Sequence, residues 1–288
     1  MSNQHKSDPN PIDVHYSADE HFDRAKTYEK LEEDQKAIDS YTKATEIDPK
    51  YAKAYFSKGK IYRKLGEDEK AIDSYTKATE LNPKYAEAYF YRGKIYRKLG
   101  EDEKAIDSFT KAIEVDLKYT DAYFFRASIY SKLGENEKAI EDCSKIILLD
   151  PKLDFPYYYR AESYEKLGEH QKAIEDYTKY IDINPDNPKA YYNKAESYGK
   201  LGEDQEAIED YTKATEIDPK YAKAYYHRAY IYAVLGENQK AIEDYSKVIL
   251  LDPNYTEAYN HRAYIYAEIG EDQKAKEDYS KVRLLDPK

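Results

Sequence analysis

The 288-residue sequence predicts an all-α solenoid of eight helix–turn–helix repeats. Three observations carry that expectation. Proline recurs at Pro49, Pro83, Pro151, Pro185, Pro219, Pro253 and Pro287, every spacing being 34 residues or twice 34. Glycine keeps the same step at Gly66, Gly100, Gly134, Gly168, Gly202, Gly236 and Gly270, with Glu32 in the first slot. So does alanine at Ala37, Ala71, Ala105, Ala139, Ala173, Ala207, Ala241 and Ala275. A fixed period of this length marks stacked units, none of which can bury its apolar face alone.

The columns divide the chain into a polar tail, 1–17, expected to be flexible, and repeats 18–51, 52–85, 86–119, 120–153, 154–187, 188–221, 222–255 and 256–288. Each repeat carries two stripes of helical period. In 222–255, Tyr225, Ala229 and Tyr232 fall on one face of a first helix. Gly236 ends that helix, and the polar Glu237 and Asn238 open the next. Ala241, Ile242, Tyr245, Val248 and Ile249 form the second stripe, and Pro253 blocks its continuation. The alanine column is expected to face Ala25, Gly59, Gly93, Ala127, Ala161, Ala195, Ala229 and Ala263, because helices approach closely only where side chains are small. At the end of the array, Lys276 and Arg283 replace the isoleucines and threonines of their columns. Charge there suits a last helix that acts as its own cap.

Blocks such as AYYHRAYIYAVLGENQKAIEDYSKVILLDP resemble tetratricopeptide repeats, 34-residue helix–turn–helix units. The likeness covers about nine-tenths of the chain, with tyrosine, or His21 in the first repeat, where the family usually has tryptophan. It implies a right-handed superhelix whose concave groove binds a peptide or a partner protein.

Composition agrees with an elongated body: 41% of residues are hydrophobic and 36% charged. The net charge of −11 disfavours wholesale nucleic-acid binding. No apolar run of membrane-spanning length occurs and the N-terminus has no signal-like apolar core, so a cytoplasmic protein is expected. Cys143, the one cysteine, excludes an internal disulfide and falls in an otherwise aromatic, buried column.

Partner chemistry is sought where repeats differ. A variable stripe on the first helices, which in the family lines the groove, begins with Phe56, Phe90, Phe124, Tyr158, Tyr192 and Tyr226. Its second column holds Tyr91, Phe125, Tyr159, Asn193 and His227; its third Lys60, Lys94, Glu162, Glu196 and Tyr230; its fourth Arg63 and Arg97. The surface is graded: basic early, aromatic in the middle, acidic with Glu162, Glu165 and Glu196, then rich in tyrosine and histidine. Repeat 52–85 has eight basic against five acidic residues, and repeat 154–187 four against eight. The expected ligand is extended, with its acidic end toward the early repeats. Packing between neighbouring first helices is the other reading of the aromatic column. The lysine–asparagine clamp for chaperone carboxylates is not expected, since Asn193 and Lys223 alone match it and Glu162 would repel a carboxylate.

Arg92, Arg126, Arg160, Arg228 and Arg262 recur, with Lys58 and Lys194 in their column, and Asp142, Asp176, Asp210, Asp244 and Asp278 recur on second helices. Interhelix ion pairs are expected there. His227 and His261 without further ligands make a poor metal site. No phosphate loop and no hydrolase motif occurs. The sequence therefore predicts a monomeric interaction scaffold with no enzymatic activity, cofactor or metal. A self-assembling structural module, and RNA binding along the basic early groove, are the competing readings.

Overall fold

The computed structural model describes residues 16–286. Most of the polar tail and Pro287 lie outside the described residues. Two compact bodies divide the chain, residues 1–129 and residues 130–288, the division falling within a helix. The N-terminal body holds α1 (Ala18–Lys30), α2 (Asp34–Ile47), α3 (Ala52–Lys64), α4 (Asp68–Leu81), α5 (Ala86–Lys98), α6 (Asp102–Val115) and most of α7 (Thr120–Lys132). The C-terminal body holds the end of α7 together with α8 (Asn136–Leu149), α9 (Phe155–Lys166), α10 (His170–Ile183), α11 (Pro188–Leu201), α12 (Asp204–Ile217), α13 (Ala222–Val234), α14 (Asn238–Leu251), α15 (Thr256–Glu268) and α16 (Asp272–Leu285). Among the described residues there is no strand.

Consecutive helices pack on one another from α1 to α6 and from α8 to α16, so that a hairpin such as α3–α4 stacks on α5–α6, the solenoid arrangement the period predicts. The hairpin turns explain the glycine column. Gly66 has φ +77°, and the Glu67 N–H reaches back to the Tyr62 carbonyl at 2.9 Å, closing the first helix with a left-handed residue. Glu32 adopts the same region in the first repeat, at φ +59°. The second helices end on an extended Asp or Asn. Asp48 Oδ1 accepts the Lys50 N–H at 2.9 Å, and the turn repeats at Asn82, Asp116, Asp150, Asp218 and Asp252. The acidic residues opening the second helices do not cap through their side chains. Glu67 instead pairs with Lys70, and Asp68 with Lys98 of the following repeat.

The core is a series of local clusters. Ala71, Tyr75 and Ala78 from α4 pack with Phe56 of α3 and with Ala88 and Ile95 of α5. The small-residue column serves the tyrosine ring of the second helix: a Cβ added at Gly59 would stand 2.9 Å from Tyr75 Cε1, and one at Gly93 2.9 Å from Phe109 Cε1.

Four of the expected interhelix ion pairs are seen, while Arg92 meets the hydroxyls of Ser108 and Thr76. Arg160, Arg228 and Arg262 each grip Asp176, Asp244 and Asp278 with two bonds of 2.6–2.8 Å. Lys194 meets Asp210 at 3.1 Å. These carboxylates are buried, so the geometry is fixed by packing, unlike that of a solvated surface pair.

Candidate functional site

In the N-terminal body the first aromatic column is a packing layer. Phe56 and Phe90 are buried, and Phe56 lies 5.7 Å from Tyr75, 4.5 Å from Tyr85 and 6.1 Å from Tyr91. Phe124 is half-buried and edge-on to Phe125. The second column stacks above this layer, Tyr91 on Tyr75 and Phe125 on Phe109 at 6.0 and 5.8 Å, nearly parallel.

The predicted cations rest on those rings. Arg63 lies over Tyr91 at 4.8 Å, Arg97 over Phe125 at 4.8 Å, Lys94 over Phe125 at 5.0 Å and Lys60 over Phe56 at 6.0 Å. Ring faces attract cations and hold long side chains in place. Among the described residues none of the four forms an ion pair, whereas Lys64 and Lys98, from the same two helices, meet Asp34 and Asp68 at 2.9 and 2.7 Å. Glu29 shares a shallow hollow with Lys60 and Arg63, but its carboxylate accepts the Tyr41 hydroxyl at 2.9 Å.

In the C-terminal body the stripe is a chain of hydroxyls and carboxylates. Tyr158 is buried. Asn193 Nδ2 donates to the Tyr158 and Tyr177 hydroxyls at 3.0 and 3.2 Å. Tyr177 and Ser197 both donate to Glu165 at 2.8 Å. Burial pushes the Glu165 carboxyl up, against the pull of the two hydroxyls. Tyr211 donates to Glu196, which His227 Nδ1 also faces at 3.3 Å. Desolvation lowers the His227 imidazole, with Glu196 opposing it. Glu162 meets Lys189 at 3.5 Å. Tyr192 and Tyr226 are half-buried, while Tyr159 and Tyr230 are 41% and 49% exposed.

The predicted residues thus separate into a packed layer (Phe56, Phe90, Tyr158) and an accessible layer above it. Sequence reasoning missed Ser197, Lys189 and the loop tyrosines Tyr51, Tyr85, Tyr119, Tyr221 and Tyr255, although the last recur at a readable step. Burial pushes the Cys143 thiol up to about 12, which makes it a poor nucleophile. Among the described residues no cluster of three His, Cys, Asp or Glu side chains is placed to hold a metal ion, and no helix is long and apolar enough to cross a membrane.

No curated protein sequence matches the chain. Solved structures do. MamA is 31% identical over 60% of this chain and 94% of its own, with a TM-score of 0.56. The C-terminal part of a TPR repeat-containing protein from Cytophaga hutchinsonii is 22% identical over 82% and 97%, with a TM-score of 0.70. YrrB, described as a TPR protein with an unusual peptide-binding site, is 23% identical over 64% and 95%, with a TM-score of 0.59. The family models for the TPR repeat match residues 25–66 and 59–100, and those for the tetratricopeptide repeat match 86–119, 120–153, 156–187, 188–221, 222–255 and 256–288. With the matches running from residue 25 to residue 288 over stacked helical hairpins, the chain belongs to the tetratricopeptide repeat family.

Proposed function

We propose that the protein is an interaction scaffold whose first helices α3 and α5 dock an acidic, extended segment of a partner protein. One observation carries this reading: Lys60, Arg63, Lys94 and Arg97 are held over aromatic rings with no carboxylate among the described residues as counter-ion. A cation already oriented and unpaired loses little freedom when an anion arrives, and flanking rings supply contact area. The excess of acid elsewhere in the chain opposes a nucleic acid at this face. The carboxylate-rich stripe of the C-terminal body, with Glu162, Glu165 and Glu196, suits basic residues of a partner. The scaffold is proposed to need no cofactor.

Affinity capture with the wild-type chain and with a Lys60→Glu, Arg63→Glu, Lys94→Glu, Arg97→Glu variant tests the proposal. Both chains are first shown to be equally helical, and captures are treated with nuclease. Proteins lost from the variant support it. The same proteins in the same amounts would overturn it.

A further inference from the structure

The turn between α10 and α11 breaks a pattern that five other turns keep. At each of those, the tyrosine that closes the repeat lays its ring against an aromatic ring on the first helix of its own repeat, while the turn between α8 and α9 carries Leu153. Tyr51 meets Phe22 at 4.9 Å, Tyr85 meets Phe56 at 4.5 Å, Tyr119 meets Phe90 at 4.9 Å, Tyr221 meets Tyr192 at 5.2 Å and Tyr255 meets Tyr226 at 5.0 Å. The equivalent residue after repeat 154–187 is Asn187, which caps α11 by accepting the Lys189 N–H at 3.0 Å.

The ring next to Tyr158 is supplied from elsewhere. Tyr180 stands where four of the eight repeats have alanine, as at Ala78 and Ala214, and its ring centroid lies 5.1 Å from that of Tyr158. Asn184 and Asn187 donate to its hydroxyl at 3.2 and 2.7 Å, and Asn184 also donates to Asp154 at 3.1 Å. Tyr180 reaches the ring from the second helix, not from the turn, and Lys189 Nζ, just past the turn, lies 5.3 Å from the Tyr158 ring centroid. A cavity of about 270 Å³ lies there, walled by Phe155, Tyr158, Tyr159 and Tyr180, with Asp154, Asn187 and Lys189 at its edge. An apolar cavity of about 150 Å³ is enough for a benzene ring.

We propose that this cavity accepts an aromatic side chain from a bound partner segment, beside the Tyr158 and Tyr180 rings, at a turn that lacks the tyrosine five other turns carry. The ligand class is a phenol or phenyl ring on an extended peptide. The walls offer ring edges and faces. The inference rests on the reading that the variable stripe of the first helices docks partners, and it names one anchor for them in the C-terminal body.

The probe is N-acetyl-L-tyrosinamide, titrated into the full chain and followed by amide NMR. Saturable shifts are expected at residues 154–159 and 184–189, with N-acetyl-L-leucinamide binding roughly tenfold more weakly. Asn187→Tyr restores the missing ring and is expected to abolish the shifts. Asn187→Ala loses the same hydrogen bonds without filling the space and is expected to keep them. Absence of saturable shifts, equal binding of the leucine probe, or full binding by Asn187→Tyr would each overturn the proposal. The titration needs no partner, so such a result removes the ring site alone. The docking reading fails separately, in the capture experiment with reversed charges.

Discussion

Arg92 is the arginine column's weak point, and supplying its missing carboxylate has a calculable effect. Sixteen residues downstream of Arg160, Arg228 and Arg262 stands an aspartate, but downstream of Arg92 stands Ser108. Arg92 Nε reaches Ser108 Oγ at 3.3 Å and Nη1 reaches Thr76 Oγ1 at 3.3 Å, whereas Arg228 binds Asp244 at 2.7 and 2.8 Å and Thr212 at 2.8 Å. Ser108→Asp would replace one long bond by two charge-assisted ones, worth roughly 1.5–3 kcal/mol each before desolvation. Ser108 is only 1% exposed, so desolvating the new carboxylate cancels most of that gain. A net stabilisation of about 1 kcal/mol is expected. The reverse change, Asp244→Ser, strands a half-buried guanidinium and should cost about 3 kcal/mol. Urea unfolding followed by circular dichroism, with midpoints compared rather than a single two-state fit, reads both changes in this repeat array. A destabilising Ser108→Asp, or an Asp244→Ser chain indistinguishable from wild type, would refute the reasoning.

Other perturbations have equally definite outcomes. Gly236→Ala meets no neighbouring atom but must hold φ +76°, and should cost roughly 1 kcal/mol in thermal unfolding; Glu32→Gly relieves the same strain and should gain a similar amount. Tyr177→Phe removes a hydroxyl from the half-buried Glu165 and should cost ~1 kcal/mol by urea denaturation. Burial raises the Asp210 carboxyl to about 6 despite Lys194 at 3.1 Å. The folded chain then holds this proton more tightly than the unfolded one, so the contribution is largest below the ordinary aspartate range and is lost as pH climbs through about 6. Asp210→Asn should flatten that segment of the plot of urea midpoint against pH, and an unaltered slope would contradict the assignment.

Much of the fold was legible because each repeat is the same experiment performed again. Columns of Pro, Gly and Ala reveal where chains turn and helices approach, since a small or constrained residue is needed at the same place every time. The candidate site was legible in part. The stripe holding Lys60, Arg63, Lys94 and Arg97 could be read from its variability, but its burial could not. Whether Phe56 is surface or core depends on Tyr85, the turn residue that closes the same repeat, and helical periodicity carries no information about such a contact. The exchange of Tyr180 for alanine and Asn187 for tyrosine was visible as two separate exceptions. Only three-dimensional proximity joins them. Likewise Ser74 and Ser108 stand in the aspartate column as plain exceptions, and their consequence for Lys58 and Arg92 needs the packed hairpin.

The most direct test of the docking face is fluorescence anisotropy with two labelled peptides, one alternating glutamate and phenylalanine, the other lysine and phenylalanine. The acidic peptide is expected to bind the wild-type chain, to weaken as salt rises, and to lose binding when Lys60, Arg63, Lys94 and Arg97 become glutamate. Equal binding of both peptides, or binding of the acidic one that survives the four substitutions, would contradict the assignment of this face.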